Sequence, residues 1–164
     1  MERHREPLVS VQVLQKQDGG QNAIAAVSKM AGDKPVLVLY EVEKENKYYF
    51  NVLQSVELKE HVEEIKIDGH GEGLWAKGEK DRWYLFSNGL EVLNQTENPA
   101  DVHSTTQTFQ YDKRNHKASL VIDQKEIEIE LSKETKPLEI HQLSADDTLW
   151  LIVYEDDLVL AQSR

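Results

Sequence analysis

Apolar and polar side chains alternate with a period of two through most of this chain, and that pattern admits few folds. Successive side chains of an extended strand point to opposite faces, so an alternating stretch belongs on a sheet with one face buried. Val9, Val11 and Val13 oppose Ser10 and Gln12, and Val36, Val38, Tyr40 and Val42 oppose Glu41 and Glu43. Tyr48, Phe50 and Val52 follow after the polar Lys44-Glu45-Asn46-Lys47, a link of hairpin length. Ile127, Ile129 and Leu131 alternate with Glu126, Glu128 and Glu130, which gives that strand one wet face and marks it as a protected sheet edge.

Turn chemistry joins these runs into hairpins. Ser87-Asn88-Gly89 stands between the apolar stretch 82–86 and Leu90-Glu91-Val92-Leu93, and Asn-Gly in that setting is a strong hairpin signal. Residues 106–111 are expected to pair with 118–122, and 149–154 with 158–161 across Glu155-Asp156-Asp157. Short links favour antiparallel pairing, since parallel strands need long crossovers. The stretches 82–86 and 149–154 are apolar on both faces and belong at covered positions. The fold class expected is therefore mainly β, α+β at the margin. It is an antiparallel meander of about ten strands, forming a barrel or a two-layer sandwich.

One stripe follows helical spacing: Ala23, Ile24, Val27, Met30 and Ala31, with Gly32 and Pro35 as stop signals. It predicts one short N-terminal helix over 22–31. Ser55 could cap a helical turn carrying Leu58, Val62 and Ile65, or Val56 and Leu58 could extend the preceding strand; the helical turn is the reading preferred. Ser144-Ala145-Asp146-Asp147 also reads as the start of a helical turn. Residues 1–7 read as a flexible lead-in and 8–164 as a single β-rich domain. Trp83, Val92, Leu93 and Gln95 recur as Trp150, Val159, Leu160 and Gln162, a correspondence that two hairpins under one burial constraint also produce.

Composition narrows the function classes. A chain of 164 residues with 39% apolar content can bury a conventional core. The absence of cysteine removes disulfides, thiolate catalysis, zinc–thiolate sites and iron–sulfur ligation. With 30 acidic against 19 basic residues the formal charge is −11, a sign that repels phosphate backbones and argues against nucleic acid. No apolar run approaches the ~20 residues that span a bilayer, so membrane insertion is not expected. The opening Met1-Glu2-Arg3-His4-Arg5-Glu6-Pro7 lacks the apolar stretch of a secretory signal. The chain reads as soluble as written, whether cytoplasmic or an exported domain relieved of its signal or anchor.

Two features suggest chemistry. In Asp68-Gly69-His70-Gly71-Glu72-Gly73, an extended backbone would place Asp68, His70 and Glu72 on one face as ligands for a divalent metal, although glycines at this spacing also mark a plain turn. No other cofactor is suggested. Tyr49 and Trp75 each face away from the main apolar side of their strand, and exposed together they would form a platform for a ligand or partner. No catalytic signature is present: Ser87 lacks the preceding glycine of a nucleophile turn, and the adjacent acidic pairs point to opposite faces. The leading expectation is a non-catalytic binding or protein-interaction module. Alternatives are a β-barrel carrier of a small apolar ligand and a metal-dependent hydrolase centred on Asp68, His70 and Glu72. An open edge such as 127–131 would also accept a strand from another protein or from a second copy.

Overall fold

The computed structural model describes residues 8–14, 23–28, 35–69, 73–87, 89–99, 101–143, 149–155 and 157–163. Among them the strands are β1 (Leu8–Leu14), β2 (Ala23–Ser28), β3 (Val36–Lys44), β4 (Tyr48–Glu57), β5 (Glu64–Asp68), β6 (Leu74–Lys77), β7 (Trp83–Phe86) and β8 (Val92–Thr96). They continue as β9 (Val102–His103), β10 (Thr106–Gln107), β11 (Gln110–Asp112), β12 (Lys117–Ile122), β13 (Lys125–Glu130), β14 (Glu139–Gln142), β15 (Leu149–Val153) and β16 (Leu158–Gln162).

The strands form four sheets, within which neighbouring strands pair antiparallel. Sheet I runs β1-β2-β3-β4, sheet II β8-β7-β6-β5-β9, sheet III β11-β12-β13 and sheet IV β10-β14-β15-β16. No sheet closes on itself, so the architecture is a layered sandwich and the barrel alternative is set aside.

Three apolar clusters hold the layers together. Val11, Ile24, Val38 and Phe50 of sheet I meet Leu149, Leu151, Val153 and Leu160 of sheet IV. The opposite face of sheet I, with Ala25, Val27, Leu37 and Leu39, meets Ile65, Leu74, Ala76 and Phe86 of sheet II. The opposite face of sheet IV, with Ile140, Trp150, Ile152 and Val159, meets Ala118, Leu120, Ile127 and Ile129 of sheet III. Sheets I and IV are thus covered on both sides, in a stack ordered II, I, IV, III.

This stacking corrects the expected helix. Residues 23–28 are strand β2, and all six are buried. Ile24 and Ala26 point to sheet IV while Ala23, Ala25 and Val27 point to sheet II. A strand buried on both faces is apolar at nearly every position, and its sequence then resembles a buried helix. Residue 22 and residues 29–31 of the expected helix lie outside the described residues, as do the lead-in 1–7 and residues 144–147.

The helical turn expected after Ser55 is also absent. β4 continues to Glu57, and residues 58–63 form an irregular link that buries Leu58 and Val62 against sheet II. Their spacing of four reflects two inward excursions of the chain. Among the described residues sixteen strands are present where alternation suggested about ten. The excess comes from β2 and from short pieces such as β6 and β14, four residues each, and the two-residue β9 and β10. The hairpins β3–β4, β7–β8 and β15–β16 form where the turn signals placed them. The expected strand 106–111 is divided: only Gln110–Asp112 pairs with β12, while Thr106–Gln107 pairs with β14 of sheet IV.

Between β11 and β12 the turn is held by Asp112, whose carboxylate accepts from the Arg114 and Asn115 backbone N–H groups at 3.1 and 3.2 Å and from Asn115 Nδ2 at 2.8 Å. The Asn115 side chain, first, and these N–H groups hold the carboxyl below its ordinary 3.8. A depressed carboxylate favours the folded turn above its unfolded value, and that contribution fades as pH falls through the lower folded value. An NMR titration should place the Asp112 midpoint below 3.8, and Asn115→Ala should raise it. A midpoint unmoved by Asn115→Ala would refute this account of the turn.

Candidate functional site

An apolar concavity lies between two sheet edges. β4 is an outer strand of sheet I and β8 an outer strand of sheet II, and among the described residues neither pairs on its far side. Between them a cavity of about 410 Å³ is lined by Val56, Leu58, Val62, Ala76, Tyr84, Phe86, Leu90 and Val92, with Glu57, Lys59 and Glu60 at its charged margin. The Gln54 side chain donates to the Gly89 carbonyl and ties the two edges at one point.

Both edges carry a β-bulge. In the β3–β4 ladder Leu39 faces Gln54 while Tyr40 faces Val52, so Leu53 is the extra residue. In the β7–β8 ladder Leu85 faces Asn94 while Phe86 faces Val92, so Leu93 is the extra residue. A bulge interrupts the period of two and re-aims the side chains beyond it. On β4 the effect is plain: Phe50 packs towards sheet IV, whereas Val56, six residues on, packs towards sheet II. The result is two Val-Leu pairs turned outward, Val52 and Leu53 at 57% and 46% exposure and Val92 and Leu93 at 58% and 54%. Val92 lines the groove itself, whereas Val52 lies opposite Tyr40 on the face of sheet I turned towards sheet IV.

Glu60 is fixed at the groove margin. Its Oε1 accepts from the Glu79 N–H at 2.8 Å, and its Oε2 lies 3.4 Å from the donating Tyr84 hydroxyl. Gly78 permits this placement, because a Cβ there would sit 2.0 Å from Glu60 Oε1. The neighbouring 3₁₀ turn Glu79–Asp81 holds Lys80 and Asp81 at positive φ, 60° and 57°.

A second polar constellation lies in the interior, where β1 approaches β5 and β14. Gln12, 3% exposed, donates through Nε2 to the Ile65 carbonyl at 3.0 Å and to Ser104 Oγ at 3.3 Å. Its Oε1 accepts from the Thr105 N–H at 2.8 Å and from the Thr105 hydroxyl at 3.1 Å. The hydroxyl also accepts from the Val13 N–H at 2.9 Å and lies 2.8 Å from Nδ1 of the fully buried His141. His141 Nε2 is 2.8 Å from Glu139 Oε1. Carboxylate, imidazole and hydroxyl in series resemble a hydrolytic relay, but the Thr105 oxygen is engaged by a backbone donor, which blunts it as a nucleophile. Structurally the group is a clasp: side chains of β1 satisfy backbone groups of β5 and of the segment that leads into β10.

The residues singled out by sequence are placed differently from one another. Trp75 is 6% exposed, and its indole N–H donates to Asp68 Oδ1 at 3.0 Å, so ring and carboxylate form a buried pair inside sheet II. Tyr49 is half-buried on sheet I and donates to Glu43 Oε2 at 2.7 Å across the β3–β4 ladder. The structure thus joins Trp75 to Asp68, not to Tyr49. His70 and Glu72 lie outside the described residues, and among the described residues no group of three or more acidic or histidine side chains is arranged to hold a metal ion. Among those residues, too, no helix is long and apolar enough to cross a membrane.

Sequence reasoning missed the groove, although a signal was available. Val52-Leu53 and Val92-Leu93 place two large apolar residues in succession within otherwise alternating strands, which is how a bulge reads. The Val-Leu pair of the other hairpin, Val159 and Leu160, is buried at 6% and 4% because sheet IV is covered on both faces. Compared with protein-family models and with curated proteins, the chain matches none.

Proposed function

We propose that the protein is a non-catalytic interaction module that docks an apolar segment of a partner protein in the groove between β4 and β8. The observation that carries this reading is an apolar concavity between two sheet edges, walled by Val56, Leu58, Phe86 and Leu90 and opened to solvent at the exposed Val92. Bulges on both edges disfavour a long added strand, because the ladder is broken at Leu53 and Leu93. Recognition therefore rests on apolar side chains entering the groove. The partner segment carries basic residues beside its apolar ones, since Glu57 and Glu60 stand at the groove margin and the chain as a whole bears a formal charge of −11. A ligand held in a barrel interior, the carrier alternative, would need a closed barrel, and the sheets do not form one.

A phage-displayed library of random dodecapeptides, panned on the intact protein, supplies the probe. Enriched peptides should shift amide resonances of residues 52–58 and 84–92, and Val92→Asp should weaken them at least about tenfold. At a position 58% exposed, that substitution should change stability by less than about 0.5 kcal/mol. Peptides that bind Val92→Asp and Val56→Asp as tightly as the parent would overturn the proposal.

A further inference from the structure

We infer that Glu60 is the specificity determinant of the groove, the fixed anion that selects a lysine or arginine beside the partner's apolar anchor. This rests on the docking reading above and adds the chemistry of one position. A carboxylate that extends freely into water forms ion pairs that are screened and that have to order two long side chains. Glu60 differs because its carboxylate is already ordered. The Glu79 N–H holds Oε1 at 2.8 Å, and Gly78 leaves the space that the carboxylate occupies. Among the described residues Oε2 has the single long 3.4 Å contact from the Tyr84 hydroxyl, and Tyr84 itself lines the groove.

A pre-positioned anion beside an apolar surface suits an amphipathic cation. The methylene stem of lysine or arginine lies on apolar walls such as Leu58 and Phe86 while its head reaches the carboxylate. Little ordering remains to be done on the protein side, so more of the charge attraction survives as affinity and selectivity. Lys59, on the same margin, disfavours a second cation next to the first and confines the basic position to the Glu60 side.

The test is parallel panning of the random dodecapeptide library on the parent protein and on Glu60→Gln, which keeps the size of the side chain and an acceptor for the Glu79 N–H. Peptides from the parent should carry lysine or arginine at one fixed spacing from their apolar residues and bind Glu60→Gln about tenfold more weakly. Peptides from Glu60→Gln should keep the apolar residues and lose the basic one. Glu57→Gln, at an exposed rim position, should change affinity less than about twofold, separating a fixed site from general attraction to an acidic surface. Gly78→Ala keeps the net charge but displaces the carboxylate, since the added Cβ would lie 2.0 Å from Oε1, and should weaken the basic peptides as Glu60→Gln does. Matching melting temperatures establish that each variant is folded. Enriched peptides without a fixed basic residue, or equal binding to Glu60→Gln, would overturn the role of Glu60 while leaving the groove in place. Peptides indifferent to Val92→Asp would remove the groove reading and this inference with it.

Discussion

Trp150→Ala should lower the unfolding free energy by about 4 kcal/mol, read as the shift in a urea or guanidinium denaturation curve at unchanged slope. Trp150 is fully buried on β15, in the sheet that is packed on both sides. Its ring faces sheet III with Ile152, Tyr154 and Val159, while Leu149, Leu151 and Val153 of the same strand face sheet I. Truncation therefore opens a cavity between two β-layers whose strands are fixed by their ladders, so collapse around the void is limited and the cost stays near the upper part of the usual range. Trp150→Phe should cost less than half as much. A loss under about 1.5 kcal/mol for Trp150→Ala would mean that sheets III and IV are not packed as described.

The second large effect belongs to Gln12. Leucine at this position has nearly the same volume, yet Gln12→Leu should destabilise by about 3 kcal/mol, because the Ile65 carbonyl and the Thr105 N–H lose their glutamine partner in a buried setting. Gln12→Glu tests the same point by another route: it retains an acceptor for Thr105 but cannot donate to Ile65, and it introduces a charge at a site 3% exposed. Both variants should be clearly less stable than Val13→Ala scaled for its lost methyl groups. Were Gln12→Leu neutral, the clasp would be a consequence of the packing rather than part of what holds sheets I, II and IV together.

How much of this was legible in the sequence depends on what each residue faces. Strands with one wet face were read correctly, as with Glu126, Glu128 and Glu130 opposite Ile127 and Ile129, because water and core impose the period of two directly. β2 was misread for the opposite reason: both of its faces are buried, so alternation vanished and the remaining apolar stripe fitted a helix. The hairpins were legible because turn residues act locally. The clasp was not, because nothing next to Gln12 in sequence announces partners at Ile65, Thr105 and, through Thr105, His141. Trp75 illustrates a subtler failure. Its position on the face opposite Leu74 and Ala76 suggested exposure, but the indole instead turns its one donor to a buried carboxylate, Asp68. The bulges were visible as the consecutive apolar pairs Val52-Leu53 and Val92-Leu93, yet only the ladder registers reveal the extra residue in each.

The clasp also bears on how the molecule reaches its folded form. Gln12 meets Ile65 across 53 positions and Thr105 across 93, separations far beyond those of any hairpin in the chain. Chain closure over such spans costs entropy before any bond repays it, so hairpins such as β3–β4 and β15–β16 can precede it while the junction of three sheets cannot. The junction is thus a late event, and its polar groups remain hydrated until sheets I, II and IV have met. A chain with this much long-range pairing belongs among the slow folders.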